Sequence, residues 1–201
     1  MADPYGDTQK LYRRAAAEYD AGRNKSLFEK TVLDALLSRC PDNARILYLG
    51  SGAGEPMAAY LIAKGAQITG VDFAAEMVAT TQKRFPDHTW IAADMRDFET
   101  DQKFDAIISW SGLFHLTRPD QIAMFPKFAR WLTPQGAILV ATGDQDGEVY
   151  GTVADTPVYH SSLAPDHYCQ LFTENGFSDI QYTTQDPDCG GFTHWIATLG
   201  S

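Results

Sequence analysis

The run ARILYLGSGAGEPMAAYLI at residues 44–62 limits what this chain can fold into more than any other stretch. Ile46, Leu47 and Leu49 read as a buried strand, Gly50, Gly52 and Gly54 as a turn, and Glu55 and Pro56 as the opening of a helix. Glycines at alternate positions let the chain turn sharply and let a ligand approach the backbone where a Cβ would collide. Pro56 suits the first position of a helix, where its missing N–H would have no partner anyway. A strand, a glycine turn and a helix N-terminus together form the nucleotide cradle of a doubly wound sheet.

The turn also narrows the ligand. A dinucleotide fingerprint needs a third glycine at position 55, where this chain has Glu55. A carboxylate there repels a pyrophosphate drawn to the positive end of the helix. An adenosine without phosphates, carrying positive charge, fits better, and S-adenosylmethionine is such a ligand. The next apolar strand, QITGVD at 67–72, ends in Asp72, where a doubly wound fold puts the acceptor of ribose hydroxyls. The competing role for Asp72 is to cap a helix over 74–85. Phe73 is placed to pack on an adenine face. A third strand over 89–92 leads to Asp94 and Met95, an acid and an apolar residue able to bind and cover adenine, if they are not a solvated turn.

The remaining chain keeps alternating. Apolar spacing predicts helices over 8–23 and 25–39 ahead of the glycine stretch. They form either a packing cap or a lid whose Tyr12, Arg14, Tyr19 and Arg23 reach a ligand carboxylate. Strands are expected over 104–110, 136–142, 177–184 and 192–199, with helices over 120–132 and 166–175. Residues 143–165 read as a long loop of functional length. The 201 residues suit one domain: a helical cap (1–43), a cofactor-binding core (44–142), and a substrate-side loop, helix and C-terminal hairpin (143–201). The fold class is α/β, a three-layer sandwich on a mainly parallel sheet.

Ligands of such sheets lie at the carboxyl ends of the strands, which brings Trp110, Ser111, His115, Tyr159 and His160 forward. His115 reads first as a loop residue bonded to backbone, and His194 as a packed core histidine. His160, in a loop expected to cover the site, is as readily functional as structural. His160, Cys189 and His194 lack recognised metal-ligand spacing, so no metal is expected.

A formal net charge of −10 argues against nucleic-acid or anionic-membrane partners, which need basic surfaces. No apolar run approaches the roughly 20 residues of a membrane span. The N-terminal MADPYGDTQKLYRR lacks the apolar core of a signal peptide. The three cysteines show no C-x-x-C spacing. The expectation is a cytoplasmic protein, monomeric or weakly dimeric, acting on a small molecule.

Taken together, the chain resembles a class I S-adenosylmethionine-dependent methyltransferase. The resemblance rests on L-x-L-G-S-G-A-G-E-P at 47–56, G-V-D-F at 70–73, A-D-M at 93–95, F-D-A-I-I-S-W…L-F-H-L at 104–116 and W-L-T-P-Q-G-A-I-L-V at 131–140. Y-H-S-S-L-A-P at 159–165 and D-P-D-C-G-G at 186–191 resemble one bacterial subgroup of that family. The resemblance implies a Rossmann-like seven-stranded sheet with an antiparallel last strand and an N-terminal helical lid. It implies that Gly50, Gly52 and Gly54, with Ser51 and Glu55, approach the methionine part of the cofactor. Asp72 and Phe73 then serve the ribose and adenine, Asp94 and Met95 the adenine, and Trp110, Tyr19 and Arg23 complete the cofactor site. In one departure, the acid that the family carries two residues before the first glycine is Tyr48 here.

Methyl transfer from a sulfonium needs mainly a near-attack geometry, which can supply roughly 7–11 kcal/mol. A general base adds about 10²–10⁴-fold where the acceptor keeps a proton. His160, His115 and Tyr159 are the candidates for that work. Competing readings are a protein that binds S-adenosylmethionine or S-adenosylhomocysteine without turnover, a nucleotide-dependent oxidoreductase, and an aminopropyl transferase.

Overall fold

The computed structural model describes residues 4–153 and 156–201. In chain order it contains α1 (Pro4–Arg14), α2 (Ala16–Gly22), α3 (Lys30–Leu37), β1 (Arg45–Leu49), α4 (Met57–Ala63), β2 (Gln67–Asp72), α5 (Ala75–Arg84) and β3 (Thr89–Ala92). There follow β4 (Phe104–Ser109), α6 (Arg118–Trp131), β5 (Leu132–Thr142), β6 (Gly147–Val153), β7 (Thr156–Ser162), α7 (Pro165–Glu174), β8 (Phe177–Asp186) and β9 (Phe192–Leu199).

Seven strands form one sheet in the order β3-β2-β1-β4-β5-β9-β8. β1 to β5 are mutually parallel, and β9 runs antiparallel to both β5 and β8. Strand parity sends alternate side chains to opposite faces. Leu47 and Leu49 thus join the core under α6 and α7, while Ile46 and Tyr48 join the one under α3 and α4. The strand order reverses between β1 and β4, and their carboxyl ends open a crevice at this switch point. The α/β sandwich with its antiparallel last strand is the fold that the sequence led us to expect.

Three local differences have physical causes. The front section makes three helices instead of two. Ser26 N–H is bonded to the Asn24 side chain and Leu27 takes a positive φ of 56°, which delays α3 to Lys30. This bend turns Phe28 to stack on Phe192, ring centroids 6.0 Å apart. The segment read as a long loop instead pairs β6 with β7 as a separate two-stranded sheet. Its β-formers alternate, and only β7 buries a face: Val158 packs on Leu11 and Ala15 of the front helices. Pro56 stands just ahead of α4 and does not occupy its first turn.

Candidate functional site

The glycine turn leaves β1 at the switch point. Gly50 has φ 70°, and a Cβ there would come within 3.1 Å of Gly112 Cα, so the turn after β1 and the loop after β4 touch through backbone. At Gly52 (φ 53°) nothing lies within 4 Å of a Cβ position, which leaves this backbone open to a ligand. Gly54 (φ 85°) serves packing instead: a Cβ would sit 2.9 Å from both Thr81 Cγ2 and Phe85 Cε2, next to α5. Two of the three expected glycines therefore face the crevice.

Asp72 closes β2 beside them. Its Oδ2 accepts Gly52 N–H at 2.8 Å and its Oδ1 accepts Ala74 N–H at 2.9 Å. Asp72 is not the N-cap of α5, a position held by Ala74 without a side-chain cap; it holds the turn instead, and with about four lone-pair sites a carboxylate so engaged still has acceptors to offer. Burial pushes the Asp72 carboxyl up, against the pull of those two N–H donors. Further donors from a bound diol would stabilise the ionised form.

Helices α1 and α2 roof this crevice with Tyr5, Tyr12 and Tyr19, which surround Phe73 and leave a cavity of about 50 Å³. Tyr5 and Tyr12 each meet Phe73 edge-on at 6.2 Å, and Tyr12 meets Tyr19 at 5.2 Å. This cavity is small beside the roughly 300–1,000 Å³ of small-molecule sites, because the three rings of α1 and α2 fill the crevice. The lining suits an adenosine: an open glycine, a buried carboxylate, aromatic faces and the Met95 side chain. Tyr5 was missed because the first helix was expected to begin at Thr8. Its spacing of seven from Tyr12, and of Tyr12 from Tyr19, places all three on one helical face and was the available signal.

Asp94 does not line this cavity. It accepts from Gln9 Nε2 of α1 at 2.6 Å and from Arg96 Nη2 at 2.8 Å. Burial raises its carboxyl, but the Arg96 hydrogen bonds and charge hold it below its usual value. Arg96 also covers the Tyr5 ring at 4.2 Å, so this acid anchors the roof. Trp110 does not reach the cavity either. It is fully buried beside Phe192 and His194, at 5.2 and 6.0 Å, on the same strand face as Ala106 and Ile108.

A second opening of about 30 Å³ adjoins the first and is bordered by Tyr19, Arg23, Tyr48, Ser51 and Glu55. Glu55 is paired, with Lys25 Nζ 2.7 Å and Arg84 3.7 Å away, which softens the repulsion of anions expected of it. Arg23 is held by the buried Glu29 at 2.9 Å.

The three catalytic candidates separate. His115 Nδ1–H donates to the Tyr159 carbonyl at 3.0 Å, and Tyr12 O–H donates to Nε2 at 3.2 Å. Burial lowers its pKa from 6.5 to about 4, so the ring is neutral with both nitrogens occupied. That is the backbone-bonded role expected for it. Tyr159 contributes its carbonyl, and its ring packs against Tyr150 at 5.8 Å, away from the described cavity linings. His160 is half-buried, 4.8 Å from His115 and 5.0 Å from Phe114, and burial lowers its pKa. Among the described residues no hydrogen bond is made by its ring, which lines a third cavity of about 1010 Å³.

That larger cavity lies between the β6–β7 hairpin and the turn before β9. Its described lining carries Asp144, Asp146 and Glu148 with the aromatic Phe114 and Phe192, and no Lys or Arg. The two imidazoles stand between it and the roofed crevice. His194 does not join His160. Its Nε2 meets Asp186 Oδ2 at 2.9 Å, and with Cys189 these form a trio whose donor atoms lie within 4.8 Å of one another.

Comparisons with known proteins agree with this architecture. Residues 46–136 match a family described as a methyltransferase domain. Trans-aconitate 2-methyltransferase of Escherichia coli O157:H7 (strain EC4115 / EHEC) is 33% identical over 181 residues, spanning 82% of this chain and 71% of that enzyme. The dTDP-3-amino-3,4,6-trideoxy-alpha-D-glucopyranose N,N-dimethyltransferase of Streptomyces venezuelae is 28% identical over 59% of this chain, which spans about half (51%) of that enzyme's length. The SAM-bound structure of CalS10, an amino pentose methyltransferase from Micromonospora echinaspora, superposes with a TM-score of 0.71 at 19% identity, over 92% of this chain and 95% of that one. The glycine turn, the switch-point crevice and these relatives converge: the chain belongs to the class I S-adenosylmethionine-dependent methyltransferase family.

Proposed function

We propose that this protein methylates a small, amine-bearing acceptor with S-adenosylmethionine as donor. The observation that carries the reading is the junction of two cavities. A glycine turn open at Gly52 and flanked by Asp72 adjoins, across His115 and His160, a larger chamber lined by carboxylates and aromatic rings. Gly50 and Gly52 would border the methionine part, Asp72 would take the ribose hydroxyls, and Phe73 and Met95 would cover the adenine. When bound, S-adenosylmethionine supplies a methyl group already activated on sulfur, which passes to the acceptor and leaves S-adenosylhomocysteine.

The chain's own work is binding, orientation and proton removal. Asp144 and Glu148 favour a cation at the chamber wall, whereas Asp146 is paired with Arg118 at 2.7 Å. Phe114 and Phe192 add aromatic surface to the lining, and an ammonium held over such a ring gains roughly 0.5–2 kcal/mol. The lining therefore suits an amino group better than a carboxylate acceptor. A protonated amine has no free electron pair, so it must lose a proton before attack. Burial lowers the His160 pKa, favouring the neutral imidazole, and the ring lines the chamber; both support it as the base that would take that proton. His115, with both nitrogens engaged, holds the junction in shape.

Turnover should be assayed with methyl-labelled S-adenosylmethionine against matched amines, alcohols and carboxylates of one carbon skeleton. Label entering the amine, with release of S-adenosylhomocysteine, is the expected result; transfer to the carboxylate alone would sink the amine assignment. His160→Ala should lower kcat by about 10²–10⁴-fold and leave cofactor affinity unchanged. No transfer to any acceptor, with cofactor binding intact, would favour a binding protein without turnover.

A further inference from the structure

Glu29, just ahead of α3, is 0% exposed, and only one of its oxygens is spoken for. Its Oε1 accepts Arg23 Nη2 at 2.9 Å, while Oε2 is buried with no hydrogen-bond partner among the described residues. Burying a carboxylate is unfavourable unless its lone pairs are satisfied, and an orphaned oxygen makes it more so. A carboxylate kept in that condition, bonded to an arginine that borders a cavity, has the character of a ligand contact awaiting its donor.

The surroundings say which donor. Arg23, to which Glu29 is bonded, borders the small opening beside the glycine turn, together with Tyr48 and Ser51. Tyr48 supplies no negative charge to this lining, since its buried hydroxyl donates to Met57 Sδ at 3.2 Å. Arg23 and Glu29 instead present adjacent positive and negative groups, the complement of an α-amino acid's carboxylate and ammonium.

We propose that Glu29 is the ammonium acceptor for the amino-acid end of the cofactor, with Arg23 beside it receiving the carboxylate. The acceptor is thus supplied from the front section of the chain, not from β1. This inference rests on the cofactor reading above. It also links cofactor binding to closure, because the segment bearing Arg23 and Glu29 follows directly on the roof helix α2.

The test compares wild type with Glu29→Gln, which keeps size and hydrogen bonding to Arg23 but removes the charge. Two ligands are titrated calorimetrically: S-adenosylhomocysteine, and 5′-methylthioadenosine, which has the same nucleoside but no amino-acid end. The expected result is an S-adenosylhomocysteine affinity roughly ten- to a hundredfold weaker, as for a lost hydrogen bond to a charged group. 5′-Methylthioadenosine should bind both proteins within about twofold, and Glu29→Asp, which keeps the charge, should recover part of the loss. Unchanged S-adenosylhomocysteine affinity, or an equal loss for both ligands, would overturn the proposal; the second would mark Glu29 as merely structural. If wild type binds 5′-methylthioadenosine but not S-adenosylhomocysteine, the inference fails alone; if it binds neither, the cofactor reading fails with it. Should Glu29→Gln not fold, the same comparison with Glu29→Asp decides: the ratio of the two affinities must fall with the displaced carboxylate, and an unchanged ratio overturns the proposal.

Discussion

Asp72→Ala removes the carboxylate that holds Gly52 N–H and Ala74 N–H, and with it the ribose acceptor of the proposed site. S-adenosylhomocysteine affinity should fall roughly ten- to 150-fold, the range for hydrogen bonds to charged groups, as measured by calorimetric titration. Asp72→Asn, which keeps one acceptor oxygen, should fall between. Asp72 was legible in the sequence because a strand end following a glycine turn fixes both its place and its neighbours. Trp110 was not, since a strand end does not announce a face. Parity with Ala106 and Ile108 sends its ring into the core under α3 and α4. The part played by Tyr159 was beyond reading from residue type, because it acts through a carbonyl that every residue has.

Helix α5 holds the glycine turn by hydrogen bonds from Thr81 Oγ1 to the Gly52 carbonyl (2.9 Å) and from Arg84 Nη1 to the Ala53 carbonyl (3.0 Å), and by close packing at Gly54. Gly54→Ala would place a Cβ 2.9 Å from Thr81 and Phe85, at a φ of 85° that alanine tolerates poorly. Overpacking of this kind costs typically 1–3 kcal/mol, so the midpoint of chemical denaturation should drop with little change in slope. The roof is fastened to the same helix by Arg84, whose Nη2 lies 2.6 Å from Asp20 of α2. Asp20→Ala should leave the fold intact and raise the dissociation rate of S-adenosylhomocysteine severalfold in stopped-flow displacement, because opening α2 becomes easier. Strands β2, β3 and β9 matched their expected limits, since short apolar runs bounded by turn residues leave little choice. The β6–β7 hairpin stayed hidden because its outer strand is largely exposed and its inner face is buried by α1, a partner distant in sequence.

For the whole molecule, the buried neutral histidines make stability depend on acid. Burial depresses the His115 pKa from 6.5 to about 4, so between these values the unfolded chain binds a proton that the folded one does not. The associated stability is fully present above about pH 6.5 and is lost as pH falls toward 4, roughly 3 kcal/mol in total. His160, lowered in the same direction, adds to the trend. Denaturant midpoints measured at pH 7.5, 5.5 and 4.5 should fall steeply for wild type and less so for His115→Gln. No helix among the described residues is long and apolar enough to cross a membrane. The antiparallel course of β9 has a consequence for the protein's birth on the ribosome. β9 pairs with β5 and brings the turn holding Pro187, Gly190 and Gly191 back to the mouth of the larger chamber. Until β9 has emerged, the nascent chain carries its complete glycine turn beside an unpaired β5 edge, a template for sticking to other chains. Synthesis therefore finishes the glycine turn first and the wall of the larger chamber last, and an interrupted chain is a turn without a chamber.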